Sequence, residues 1–245
     1  MEGGGLGLGF ICVALAAGAN LLGGVVVTWR RWDDRFLRYG VALGAGFMLA
    51  AVLLKMLPES ARLTPHAPAL LLAGYLLIHL FEHTVAPHFH FGEEVHPEQL
   101  HGGAGVSAVL GLMVHSFFDG LSIGSGFVID RALGLLLFAA IFLHKAPEGF
   151  AIASVVLAAR GTRRQAILAA SAVGLATLVG GLTIFGQRTL VGPALALSAG
   201  VTLYVAATDL VPEVNKEGGT SIALAVFAGV VLYYLTEELL AAAGI

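Results

Sequence analysis

Apolar residues along this chain gather into eight long runs, separated by clusters of charge, glycine and proline. They fall at about residues 6–28, 37–56, 67–83, 104–126, 132–159, 164–186, 190–212 and 219–243. Each comes close to or exceeds the ~20 residues an α-helix needs to cross a hydrocarbon core of roughly 30 Å. The runs are continuously apolar and lack the alternation a transmembrane strand uses to face lipid on one side and a lumen on the other. The pattern therefore predicts an all-α integral membrane protein of eight transmembrane helices, with residues 1–245 as a single transmembrane domain.

Composition strengthens this reading. Apolar residues make up 58% and charged residues 12% of the 245, and the mean hydropathy is +0.88, a balance outside that of soluble globular domains. The 33 glycines suit helices that pack closely in lipid, and such surfaces also permit a homodimer. Cys12 is the only cysteine, so intrachain disulfides and thiolate metal clusters are excluded. No basic segment precedes the first apolar stretch in "MEGGGLGLGF", so the first run reads as a retained span and not a cleaved signal peptide. No Walker sequence or nucleotide-binding glycine motif is present, which leaves coupling to ATP without support. No nucleic-acid partner is expected.

Basic residues set the orientation. With the N-terminus outside, the inward connections carry Arg30, Arg31, Arg35, Arg38, Arg160, Arg163, Arg164 and Lys216. The outward ones keep Arg62, Arg131 and Arg188, with Lys55 at a span end from which it can snorkel. This asymmetry favours both termini outside.

The candidate chemistry lies inside the membrane. The fourth run, "SAVLGLMVHSFFDGLSIGSGF", holds His115 and Asp119 one helical turn apart, and the fifth repeats the device with His144 and Glu148. An ionisable side chain at the bilayer centre costs about 2.5–3.5 kcal/mol, so four such groups need partners or water. A divalent cation satisfies all four together, and two imidazoles with two carboxylates suit tetrahedral zinc. The alternative is a hydrogen bond between the members of each pair. Lys145 is placed to set its ammonium beside Glu148 and Asp119, or else to snorkel away. Pro147 removes a helical donor beside His144 and kinks or loosens that turn. Gly120 and Gly149 follow the two acids, leaving space for an ion or serving ordinary close packing.

Further polar residues mark a candidate pathway. "KMLPES" closes the second run with Met56 and Glu59 near the outer surface, and "TDLVPEVNKEG" closes the seventh with Asp209 and Glu213 near the inner one. The proline-glutamate pairs serve equally as caps of span ends. His79, Glu82 and His83 on the third run either shuttle metal or mark the interface. The connection "HTVAPHFHFGEEVHPEQLHGG" carries no lysine or arginine. Its histidines His88, His90, His96 and His101, in a cytoplasmic loop over 84–103, are candidates for metal capture; a plain solvated loop is the alternative.

Taken together, the eight spans, the histidine-rich loop, "HSFFDG", "HKAPEG", "MLPES" and "DLVPEV" resemble the ZIP family of zinc and iron transport proteins over nearly the whole chain. The resemblance implies a bundle in which helices 1–3 and 6–8 are inverted repeats around helices 4 and 5. It also implies a primary site at His115, Asp119, His144 and Glu148. Relatives with two metals use an amide at the position of Ser116, an acid at that of Lys145 and a further acid on the sixth span. This chain departs at all three positions, so one metal is expected, with Ser116 and Lys145 beside it.

The resulting expectation is a non-enzymatic transporter of divalent metal ions, with Zn2+ as the transported ligand and Fe2+, Mn2+, Co2+ or Cd2+ as further candidates. The resemblance implies uptake toward the cytoplasm, with movement of a helix block that carries the site; the expected location is a prokaryotic cytoplasmic (inner) membrane. The competing readings are a non-transporting metal sensor and an intramembrane zinc hydrolase. The latter lacks a His-Glu-x-x-His motif.

Overall fold

The computed structural model describes residues 2–29, 34–84, 104–158, 160–185, 187–212 and 219–244. The loop histidines His88, His90, His96 and His101 and the acid Glu213 lie outside these residues. Among those described there are no strands, and eight helices are long and apolar enough to cross a membrane.

Helix α1 is Glu2–Trp29. Helix α2 begins as Asp34–Ala51, passes through a π-helical stretch, Val52–Met56, and continues as Leu57–Leu63. Helices α3 (Ala67–Thr84), α4 (Ala104–Ile129), α5 (Arg131–Ala158) and α6 (Arg163–Ile184) follow. Helix α7 starts as Val191–Tyr204 and runs into a second π-helical stretch, Val205–Leu210, and α8 is Thr220–Ala242.

The two π stretches have the same cause. Pro58 and Pro212 have no N–H, so the turn before each proline cannot close in the α-helical way. The residue before each proline instead donates one residue further back, Leu57 N–H to the Val52 carbonyl and Val211 N–H to the Ala206 carbonyl. Pro58 then starts a new α-helical turn, where a missing donor costs nothing. This corrects the expected end of the second span: the helix does not stop at Met56 but continues to Leu63. The "MLPES" pair therefore does not cap that span.

Packing divides the helices into two blocks. One joins α1 to α5 and α6, and α4 to α6 and α5; the other joins α2 to α8, and α3 to α7. Glycines set the close approach in both. A Cβ on Gly149 would lie 1.9 Å from the Asn20 carbonyl oxygen, and one on Gly120 1.8 Å from that of Thr177. In the second block, Gly46 and Gly200 press equally closely on the carbonyls of Val226 and Leu71. Where the blocks meet, two glycines have ordinary contacts: Gly44 of α2 faces the His144 Cβ of α5 at 3.6 Å, and Gly111 of α4 faces the Phe81 ring of α3 at 3.5 Å. Exchanging α1–α3 with α6–α8 and α4 with α5 leaves this pairing scheme unchanged, as an inverted repeat requires.

Candidate metal centre

The polar residues of α4 and α5 meet inside the first block, on the side that faces α2. His115, Ser116 and Asp119 share a face of α4 because they are spaced by about one turn, and His144, Lys145 and Glu148 do the same on α5. His115 is the most exposed of the six at 3%, so these groups must find their partners within the protein.

Asp119 is the centre of the cluster. Its Oδ2 faces His115 Nε2 at 3.0 Å, His144 Nε2 at 3.3 Å and Lys145 Nζ at 2.6 Å. The Lys145 ammonium also donates to Glu148 Oε2 at 2.5 Å and to Ser116 Oγ at 2.7 Å. The Ser116 hydroxyl in turn donates to Glu148 Oε1. His144 Nδ1 lies 3.3 Å from the Ala140 carbonyl. A carbonyl only accepts, so when Nδ1 donates there, the Nε2 lone pair is left pointing into the cluster, as a metal ligand requires.

The donor set fits a small divalent cation. One ligand atom each from His115, Asp119, His144 and Glu148 can be chosen so that all lie within 4.8 Å of one another. Zinc bonds of about 2.0–2.1 Å put tetrahedral ligands about 3.3 Å apart, so closure needs a contraction that side-chain rotation supplies. Asp119 Oδ1 is buried with no hydrogen-bond partner, an atom that a cation would satisfy.

Several sequence readings resolve against this geometry. Only His115 pairs with the acid of its own helix; His144 turns to Asp119 on the neighbouring helix, and Glu148 turns to Lys145 and Ser116. Lys145 does not snorkel, since it is wholly buried between the two carboxylates. Gly120 and Gly149 serve close packing, because α6 and α1 fill the space beside them. Helix α5 keeps its helical course through Pro147.

The pathway candidates sit elsewhere. Met56 is buried in the π stretch of α2, and Glu59 lies 3.4 Å from Arg62. Asp209 is buried in the π stretch of α7. His79 and His83 are exposed on α3, their rings 4.2 Å apart and His83 Nδ1 2.8 Å from the His79 carbonyl.

Several contacts among the described residues escaped the sequence reading. Tyr204 donates to Glu82 at 2.8 Å, Tyr75 and Thr208 share a hydrogen bond of 3.1 Å, and Lys55 pairs with Glu237 of α8 at 3.2 Å. The last left a trace in the sequence, as opposite charges in two apolar runs ask for one another.

Comparison with known proteins agrees with the family resemblance. Residues 96–237, more than half of the chain, match the family model described as ZIP Zinc transporter. Zinc transporter ZIP9 of Xenopus tropicalis is 30% identical over 162 residues, 60% of this chain and 52% of that protein. Zinc transporter ZIP6 of Homo sapiens is 35% identical over 137 residues, 52% of this chain and 18% of that protein. Zinc transporter ZupT of Enterobacter sp. (strain 638) is 28% identical over 255 residues, covering 96% of this chain and 97% of that protein. The chain thus spans about half the length of the ZIP9 relatives, and nearly all of ZupT. With a match of this extent, and with its eight apolar helices, the chain belongs to the ZIP zinc transporter family.

Proposed function

We propose that this protein carries Zn2+ across a membrane into the cytoplasm by alternately exposing one site formed by His115, Asp119, His144 and Glu148. The observation that carries the reading is the convergence of these four buried side chains from two adjacent helices. Two carboxylates oppose the charge of the ion, and neutral imidazoles add affinity without adding charge. All four donors come from one chain, so the site is complete without a partner subunit.

The packing suggests how exposure alternates. The site is held wholly by the block of α1, α4, α5 and α6, whose helices lock together through glycine contacts. At its boundary with α2 and α3, Gly44 and Gly111 meet side chains at ordinary contact distance, without the backbone clash that marks the glycines inside the block. Such a seam favours movement of the site-bearing block as a unit. Asp209, Glu213, His79 and His83 serve as release points toward the cytoplasm, Met56 and Glu59 flank the entry side, and the loop histidines capture the ion. The basic connections support both termini outside.

The test is Zn2+ uptake into proteoliposomes by the wild type and by the double variant His115→Ala, Glu148→Gln. Saturable uptake that vanishes in the variant supports a carrier. Wild-type protein that binds zinc without moving it would shift the function to metal sensing.

A further inference from the structure

Lys145 is more than a neighbour of the donor set. An ammonium has three N–H donors, and all three are engaged, by Asp119 Oδ2 at 2.6 Å, Glu148 Oε2 at 2.5 Å and Ser116 Oγ at 2.7 Å. The side chain is fully buried, so no water competes for these bonds. Lys145 therefore holds one oxygen of each carboxylate in the cluster.

We propose that Lys145 is a specificity-determining residue, which makes the site select small, imidazole-seeking Zn2+ over larger, oxygen-seeking Mn2+. The inference rests on the reading of the four residues as the metal site, and two effects of the ammonium act in the same direction.

The first effect is on coordination number. Asp119 is fixed with Oδ2 toward both imidazole nitrogens by the bond that this same oxygen accepts from Lys145, and Glu148 has Oε2 taken by Lys145 while its Oε1 accepts from Ser116. Each carboxylate then binds a metal through one oxygen, giving a four-coordinate set of two nitrogens and two oxygens. Zinc accepts this set, whereas Mn2+ favours octahedral oxygen-rich coordination.

The second effect is electrostatic. Two carboxylates and one ammonium give the cluster a net charge of about −1 with neutral imidazoles, so a bound divalent ion is not fully neutralised. The cost is shared by every divalent ion, and what offsets it is the bond to imidazole. That bond is weaker for Mn2+ than for Zn2+ in the general order of affinities. Removing the ammonium returns both charge and carboxylate oxygens to the site, and Mn2+ gains more from that return than Zn2+.

The test is equilibrium binding of Zn2+ and of Mn2+ to the purified full chain, in the wild type and in Lys145→Met, Lys145→Gln and Lys145→Arg. The ratio of the two dissociation constants is the readout, because general destabilisation does not move it. The preference for Zn2+ is expected to fall by about tenfold in the two neutral variants, equivalent to about 1.4 kcal/mol, and to persist in Lys145→Arg. An unchanged ratio in either neutral variant that remains monodisperse overturns the proposal. So does a Lys145→Arg protein that relaxes as far as the neutral ones. Glu148→Gln separates the two levels of the argument: if it keeps wild-type zinc affinity, the site assignment fails. If it loses zinc while the ratio in Lys145→Met stays fixed, only the role of Lys145 fails.

Discussion

Replacing Gly149 by alanine measures how tightly the site-bearing block is locked. The added Cβ would lie 1.9 Å from the carbonyl oxygen of Asn20, 2.6 Å from its carbonyl carbon and 2.8 Å from its Cα. These are backbone atoms of α1, so no side chain can rotate away, and α1 and α5 must separate by about 1 Å or more to restore normal contact distances. Overpacking of this kind costs about 1–3 kcal/mol, and the helix-propensity gain of alanine over glycine, about 0.8–1.0 kcal/mol, opposes it. Gly18→Ala supplies the reference, because a Cβ there meets nothing within 4 Å. The difference between the two variants isolates the clash, and at about 2–4 °C per kcal/mol for a chain of this size it amounts to roughly 2–12 °C in melting temperature. The assay is thermal unfolding of the purified protein in one detergent, with zinc affinity measured alongside, since Glu148 moves with the displaced turn. If Gly149→Ala and Gly18→Ala melt together, α1 and α5 do not approach as closely as the glycine contact demands, and the locked-block argument falls with it.

Other perturbations address the site and the loop. His144→Ala removes one of the four proposed donors, and its loss of zinc affinity should exceed the about 10–100-fold that even outer partners of metal ligands carry; calorimetric titration shows it, and an unaltered affinity rejects the ligand role. Lys145→Glu replaces the ammonium with a third carboxylate between Asp119 and Glu148, so the stoichiometry at saturation should rise from one zinc toward two. A stoichiometry fixed at one would mean that the ammonium is not what excludes a second ion. Deleting residues 88–101 removes the loop histidines but none of the four proposed buried donors; basal uptake in proteoliposomes should survive at reduced apparent affinity, whereas complete loss would make the loop an obligatory part of the path.

Much of this protein was determined by sequence alone, for a physical reason that varies with the feature. The eight helices were legible because lipid demands long apolar runs whose backbone hydrogen bonds close within each segment. The pairs His115 with Asp119 and His144 with Glu148 were legible because a buried charge in such a run is costly and helical periodicity fixes which side chains share a face. Periodicity does not say which helix lies opposite. That His144 turns to Asp119 rather than to Glu148, that Lys145 stays inside with all its donors engaged, and that Lys55 finds Glu237 were decided by the packing of neighbouring helices. The continuation of α2 past Met56 was likewise hidden, because a proline marks a local loss of a donor and only the surrounding packing determines whether the helix ends there or re-forms after a wider turn. The division into two blocks is wholly tertiary: glycines are scattered through most of the runs, and only their partners across the interface reveal which helices are locked together by backbone approach and where, as at Gly44 and Gly111, the contact is with side chains at ordinary distance.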